Sequence, residues 1–146
     1  MGTLDAAPHG RSFEPMRIVW YVALGSGLGG AARLLLGGWV QDRFGSSFPL
    51  GTLVINISGS LLLGFLLHYA LETPAIGADV RALLTTGLCG GYTTFSTFSY
   101  ETVRLVEDGD YRRAALYVIL SVGLALVAMA CGIGLARELV ALRRRW

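Results

Sequence analysis

Charge is scarce in this chain. Of its 146 residues only 15% are charged, while 53% are hydrophobic. Soluble domains usually carry about 25% charged residues, so these proportions argue against a water-exposed globule and for a bilayer as solvent. Lysine is missing altogether: all twelve basic side chains are arginines, scattered along the sequence. A formal net charge of +2 without a basic face gives no footprint for nucleic acid. There are two cysteines, Cys89 and Cys131, both in apolar stretches and at no spacing that supports a disulfide or metal pair. Both are expected to be buried thiols acting as small hydrophobes. No Ser/His/Asp set and no His/Glu metal motif falls at helical spacing, so an intramembrane enzyme has no machinery to use. His68 lies near a span end without a partner at ligand spacing and is read as interfacial.

What the chain does have is long apolar runs. A hydrocarbon core about 30 Å thick needs roughly 20 apolar residues per helix, so the length accommodates about four spans. They are expected near 17–40, 50–70, 81–104 and 113–137, within an all-α membrane domain covering 16–142. Residues 1–15 mix acidic, basic, proline and glycine residues and are expected to be a disordered tail rather than a cleaved signal. Residues 143–146 form a basic end. Little chain remains for a soluble domain, so function must be built from helix faces. There is no convincing internal repeat.

The arginines distribute almost evenly between the two sides. Arg11, Arg17, Arg81, Arg137 and the Arg143-Arg144-Arg145 trio share one side; Arg33, Arg43, Arg104, Arg112 and Arg113 share the other. Orientation normally follows a clear excess of positive charge on one side. Here the excess rests on the terminal trio. A chain with so weak a bias can insert both ways, and its two orientations can pair as an antiparallel homodimer.

The third span carries the strongest local signal. Its middle reads Gly87-Leu88-Cys89-Gly90-Gly91-Tyr92-Thr93-Thr94-Phe95-Ser96-Thr97-Phe98. A glycine pair followed by β-branched and hydroxyl residues is a poor helix former, and the helix is expected to break at Gly90-Gly91. Non-helical backbone survives in lipid only when buried in protein or lining a wet cavity, where its carbonyls suit a hard cation. A tight glycine-mediated crossing of an intact helix fits the same residues. Phe95 and Phe98, three apart, share a helix face amid hydroxyls, and their ring edges carry the positive end of the aromatic quadrupole.

Other spans add polar groups. Thr52, Asn56 and Ser60 lie at i, i+4 and i+8 on the otherwise apolar second span. Asn56 serves equally as glue between helices or as a donor to an anion. Tyr117 and Ser121 are four apart in the fourth span. Arg33, deep in the first span, either snorkels or faces a watery vestibule. The Gly25-x-x-x-Gly29 spacing and the Ala128, Gly132, Ala136 series are close-packing faces.

These residues resemble the CrcB/Fluc family of fluoride channels, over nearly the whole chain after the tail. The likeness rests on Gly29-Gly30-Ala31-Ala32-Arg33, on Gly51-Thr52-Leu53-Val54-Ile55-Asn56-Ile57-Ser58-Gly59, and on the third-span stretch through Phe98. The resemblance implies a passive, fluoride-selective channel of the cell inner membrane, built as an antiparallel dual-topology homodimer. Such a channel lets out fluoride trapped as the anion after HF enters. It implies a structural sodium ion, not transported, held by the backbone carbonyls of Gly90 and Thr93 from each subunit. It implies Phe95 and Phe98 along the pore, Asn56 as a pore amide, and Thr94, Glu101, Tyr117 and Ser121 in a polar path. Arg33 matches a motif arginine near the aqueous end. The partners so implied are fluoride, a second copy and membrane lipid. Two departures stand out: Tyr92 replaces a frequent phenylalanine, and Ala125 leaves the fourth span without a further hydroxyl. The rival reading is a small proton-coupled multidrug exporter. That chemistry needs an embedded carboxylate, which the first span lacks between Arg17 and Val40.

Overall fold

A computed structural model describes residues 14–45, 47–73 and 76–145. These residues are almost wholly helical and include no strand. Helix α1 is Glu14–Phe44, α2 is Leu50–Glu72, α3 is Ala78–Ala82, α4 is Gly90–Tyr92, α5 is Phe95–Glu107 and α6 is Tyr111–Arg143. A π-helical stretch, Leu83–Cys89, joins α3 to α4. The expected tail lies outside the described residues as far as residue 13, and α1 already begins at Glu14.

Three helices, α1, α2 and α6, are long and apolar enough to cross a membrane. At ~1.5 Å per residue the 31 residues of α1 and 33 of α6 extend to roughly 46–50 Å, well past the ~30 Å hydrocarbon thickness. Their outward faces carry Trp20, Leu34, Leu35, Trp39, Ile119 and Leu126, all largely exposed. Water would not tolerate so much contiguous apolar surface; lipid or a partner does.

The chain between α2 and α6 departs from the expectation of one broken helix at Gly90-Gly91. Gly90 has helical torsions (φ −65°, ψ −38°), and the π-helical turn runs into α4 without a gap. The interruption comes later, at Thr93 (φ −79°, ψ 159°) and Thr94 (φ −152°, ψ 113°). β-Branched threonines prefer extended torsions, and Thr94 is held in them by bonds from both neighbours in space, described below. Gly91 has a different task. A Cβ there would come within 2.7 Å of Cα of Ser26 on α1. The glycines let α1 lie against the π-helical segment and α4 backbone to backbone, as the Gly25/Gly29 spacing predicts: a Cβ on Gly29 would fall 2.7 Å from the Tyr92 nitrogen.

The other close crossing joins α2 to α6. A Cβ on Gly132 would approach the Phe65 nitrogen to 2.9 Å, and one on Gly64 would meet the Met129 carbonyl at 2.5 Å. Gly132 and Ala136 are buried accordingly. A small core of Leu53, Phe98 and Tyr117 lies where α2, α5 and α6 meet, flanked by Phe48, Leu50, Ile57, Leu105 and Leu120. Among the described helices, α5 touches α2 and α6 alone. It is followed by a tight turn in which Gly109 takes φ +77°, a conformation that glycine alone adopts cheaply. Of the two cysteines, Cys89 is buried as expected, whereas Cys131 is exposed, on the outward side of α6.

Candidate functional site

The break at Thr93-Thr94 is closed by side chains. Asn56, two turns into α2, donates from Nδ2 to the Thr94 carbonyl (3.1 Å) and accepts the Thr94 N–H at Oδ1 (2.8 Å). The amide thus imitates a neighbouring strand, the arrangement that unpaired backbone in a low-dielectric medium requires. The Thr94 hydroxyl then caps α5 by accepting the Thr97 N–H (3.2 Å), with the Thr97 and Ser96 hydroxyls 3.0 and 3.2 Å away. Immediately before the break, the Tyr92 and Ser58 hydroxyls lie 2.9 Å apart.

One turn up the polar stripe of α2, Thr52 donates to Oε1 of Glu101 (2.9 Å), and the buried Tyr117 hydroxyl donates to Oε2 (2.6 Å). Two hydroxyls from two other helices thereby fix the orientation of a half-buried carboxylate. Glu101 lines an open cavity of about 720 Å³ together with Arg33, Gln41, Thr97, Arg104 and Asp108. The Arg33 side chain is half-buried and has no hydrogen bond or ion pair with the described residues. It faces this vestibule.

A second cavity, of about 330 Å³, opens on the other side of Thr94. Asn56, Ser60, Thr93, Phe95, Phe98 and Ser121 line it, and its far end is the apolar set Val122, Ala125, Leu126 and Met129. The Phe95 and Phe98 rings are 5.4 Å apart at 47°, and Phe98 meets Tyr117 at 5.2 Å and 53°. The two are unequal: Phe98 is 8% exposed and Phe95 77%. Phe98 is anchored in the core, while Phe95 projects toward whatever covers α5. The Ser121 oxygen is buried without a hydrogen-bond partner among the described residues.

The family model for "CrcB-like protein, Camphor Resistance (CrcB)" matches residues 20–133. The chain belongs to the CrcB family. Among its curated relatives, the fluoride-specific ion channel FluC of Syntrophotalea carbinolica is 48% identical over 119 residues, 82% of this chain and 97% of that one. The FluC proteins of Geobacter metallireducens and Rhizobium meliloti are 49% and 39% identical, over 81% and 86% of this chain and 95% and 100% of theirs.

Within this CrcB chain, Arg33, Asn56, Thr94, Phe95, Phe98, Glu101, Tyr117 and Ser121 fall along two cavities that share Thr94. Asn56 departs from a free pore amide, since one N–H and its oxygen are taken by the Thr94 backbone and only the second N–H remains to donate. The expected carbonyl pair is also strained of donors. In an unbroken helix the Gly90 and Thr93 carbonyls would accept from the Thr94 and Thr97 N–H groups; these bond instead to Asn56 Oδ1 and the Thr94 hydroxyl. No cluster of three or more His, Cys, Asp or Glu occurs among the described residues. Neutral carbonyl oxygens freed of their helical donors fit a hard monovalent cation, and Gly90 lies exposed with open space around it. Two participants had no clear signal in the sequence. Phe48 packs edge-on against Tyr117 (5.5 Å, 83°), and Gln41 ties Gly45, Phe48 and Gly51 together at the vestibule rim. Both lie in or beside a loop, where no periodicity marks them.

Proposed function

We propose that this protein is a passive, fluoride-selective channel that lets fluoride leave the cell across the inner membrane. Besides membership of a family whose curated relatives are named for that ion, one observation supports it: the cavity beside Thr94, with the unpartnered Ser121 hydroxyl and two phenylalanine rings. Fluoride is small and strongly hydrated. It needs donors and electropositive ring edges that replace water without holding it too tightly. Ser121, the second N–H of Asn56, and the Phe95 and Phe98 edges provide such a set. Arg33 gathers anions in the vestibule, and the Thr52 and Tyr117 hydroxyls, which hold Glu101, can turn toward a passing anion.

The segment from α3 to α5 acts as the third of four spans, interrupted at Thr93-Thr94, within a channel domain of residues 16–142. Two copies in opposite orientations form the working unit, so that the exposed face of α5 and Phe95 is covered by the second. Carbonyls of Gly90 and Thr93 from both copies would hold a structural sodium ion, which supplies fixed positive charge against the freed carbonyl dipoles. Purified protein in liposomes should release fluoride and retain chloride; equal passage of both would reject the selectivity. A cysteine tag near residue 5 should be labelled from both sides of the membrane. One-sided labelling would reject dual topology.

A further inference from the structure

At the end of the molecule holding the C-terminus, the last turns of α2 and α6 diverge around a cavity of about 510 Å³. Its walls are His68 and Glu72, one turn apart on α2, and Arg137, Val140, Ala141 and Arg144 on α6. Arg137 and Arg144 are separated by two turns and so share one face, with the apolar Val140 and Ala141 between them. The charges are only partly cancelled within the protein. Arg144 pairs with Glu72 (3.0 Å), and the neighbouring Arg143 donates to the Tyr69 hydroxyl (2.6 Å) while lying 5.8 Å from that ring's centroid. Arg137 has no partner among the described residues. All these arginines lie beyond residues 20–133, which carry the family match.

Depth decides what such a cavity meets. The 23 residues of α2 extend to roughly 35 Å, so its last turn reaches the headgroup layer at the edge of a ~30 Å core. Exposed Leu67, Leu71 and Leu142 flank the opening and suit acyl chains. We propose that this cavity binds the phosphate of an anionic phospholipid, with Arg137 as the principal ligand, Arg144 shared between phosphate and Glu72, and His68 as an additional donor. Guanidinium forks match phosphate oxygens, and basic pockets between helices hold anionic headgroups. The reading is independent of which ion the protein conducts.

Native mass spectrometry of the detergent-solubilised protein, titrated with equimolar phosphatidylglycerol and phosphatidylcholine, tests it. Phosphatidylglycerol should be retained preferentially. Arg137→Gln should weaken that retention roughly fivefold and Arg137→Gln with Arg144→Gln about 25-fold, following the free energy of ~1 kcal/mol per basic residue near a lipid surface. Arg112→Gln, at the opposite end of α6, should leave it unchanged. Circular dichroism and gel filtration confirm folding, which Arg137→Gln leaves intact because that side chain makes no intramolecular bond. Equal retention of the two lipids, or undiminished phosphatidylglycerol binding in the folded double variant, overturns the site. So does complete displacement of the lipid by millimolar inorganic phosphate, which would make it a free-phosphate site.

Discussion

Replacing Asn56 by leucine removes both halves of its exchange with the Thr94 backbone, the 2.8 Å bond from the Thr94 N–H and the 3.1 Å bond to its carbonyl. Thr94 is only 8% exposed, so water cannot easily take over. Each buried polar group left unpaired costs about 1–3 kcal/mol, hence about 2–6 kcal/mol for the two. A floor comes from bonds between membrane helices, which average about 0.6 kcal/mol because the denatured chain in lipid finds other partners, or about 1 kcal/mol for two. Against a total stability of about 5–15 kcal/mol the loss is substantial. At about 2–4 °C per kcal/mol for a chain of this size, melting in detergent should fall by at least ~2 °C, and fluoride efflux should fall with it. Asn56→Asp refines the test. The protonated acid can accept from the N–H and donate to the carbonyl as the amide does, whereas the carboxylate only accepts. The stability it keeps is therefore present at low pH and lost as pH rises. Asn56→Leu melting within about 1 °C of wild type would refute the role of this side chain as the partner of the broken backbone.

Phe98→Ile and Phe95→Ile should each nearly abolish fluoride efflux in liposomes, because aliphatic side chains lack an electropositive edge. Only Phe98→Ala should also cost about 3–5 kcal/mol of stability, since Phe98 alone of the two is buried in this fold; wild-type flux in both isoleucine variants would remove them from the path. Gly90→Ala should fold normally, because its Cβ meets nothing within 4 Å, while Gly91→Ala should lose about 1–3 kcal/mol by driving a Cβ to 2.7 Å from Ser26. Equal melting temperatures in this pair would contradict the packing of α1 on α4. Prolonged removal of sodium should silence fluoride efflux and its return should restore it; unchanged efflux in sodium-free buffer would reject the carbonyl site.

Composition and periodicity alone determine the helical membrane class, because apolar runs of 20 or so residues have no other stable setting. The spacing of Thr52, Asn56 and Ser60 likewise determines that one face of α2 is polar, since the helical repeat is local. Gly25-x-x-x-Gly29 marks a close crossing for the same reason. The place of the break belongs to tertiary structure. By propensity the glycine pair was the weak point, yet Gly91, packed against the α1 backbone, stays helical with Gly90, and the interruption lies where Asn56 from another helix offers replacement bonds. Glu101 was one acid at a span end until folding brought Thr52 and Tyr117 to its two oxygens. Phe95 and Phe98 look alike in the sequence; one is core and the other exposed because burial depends on which helices arrive at each face. Local chemistry sets what a residue prefers, and long-range packing decides which preference is satisfied.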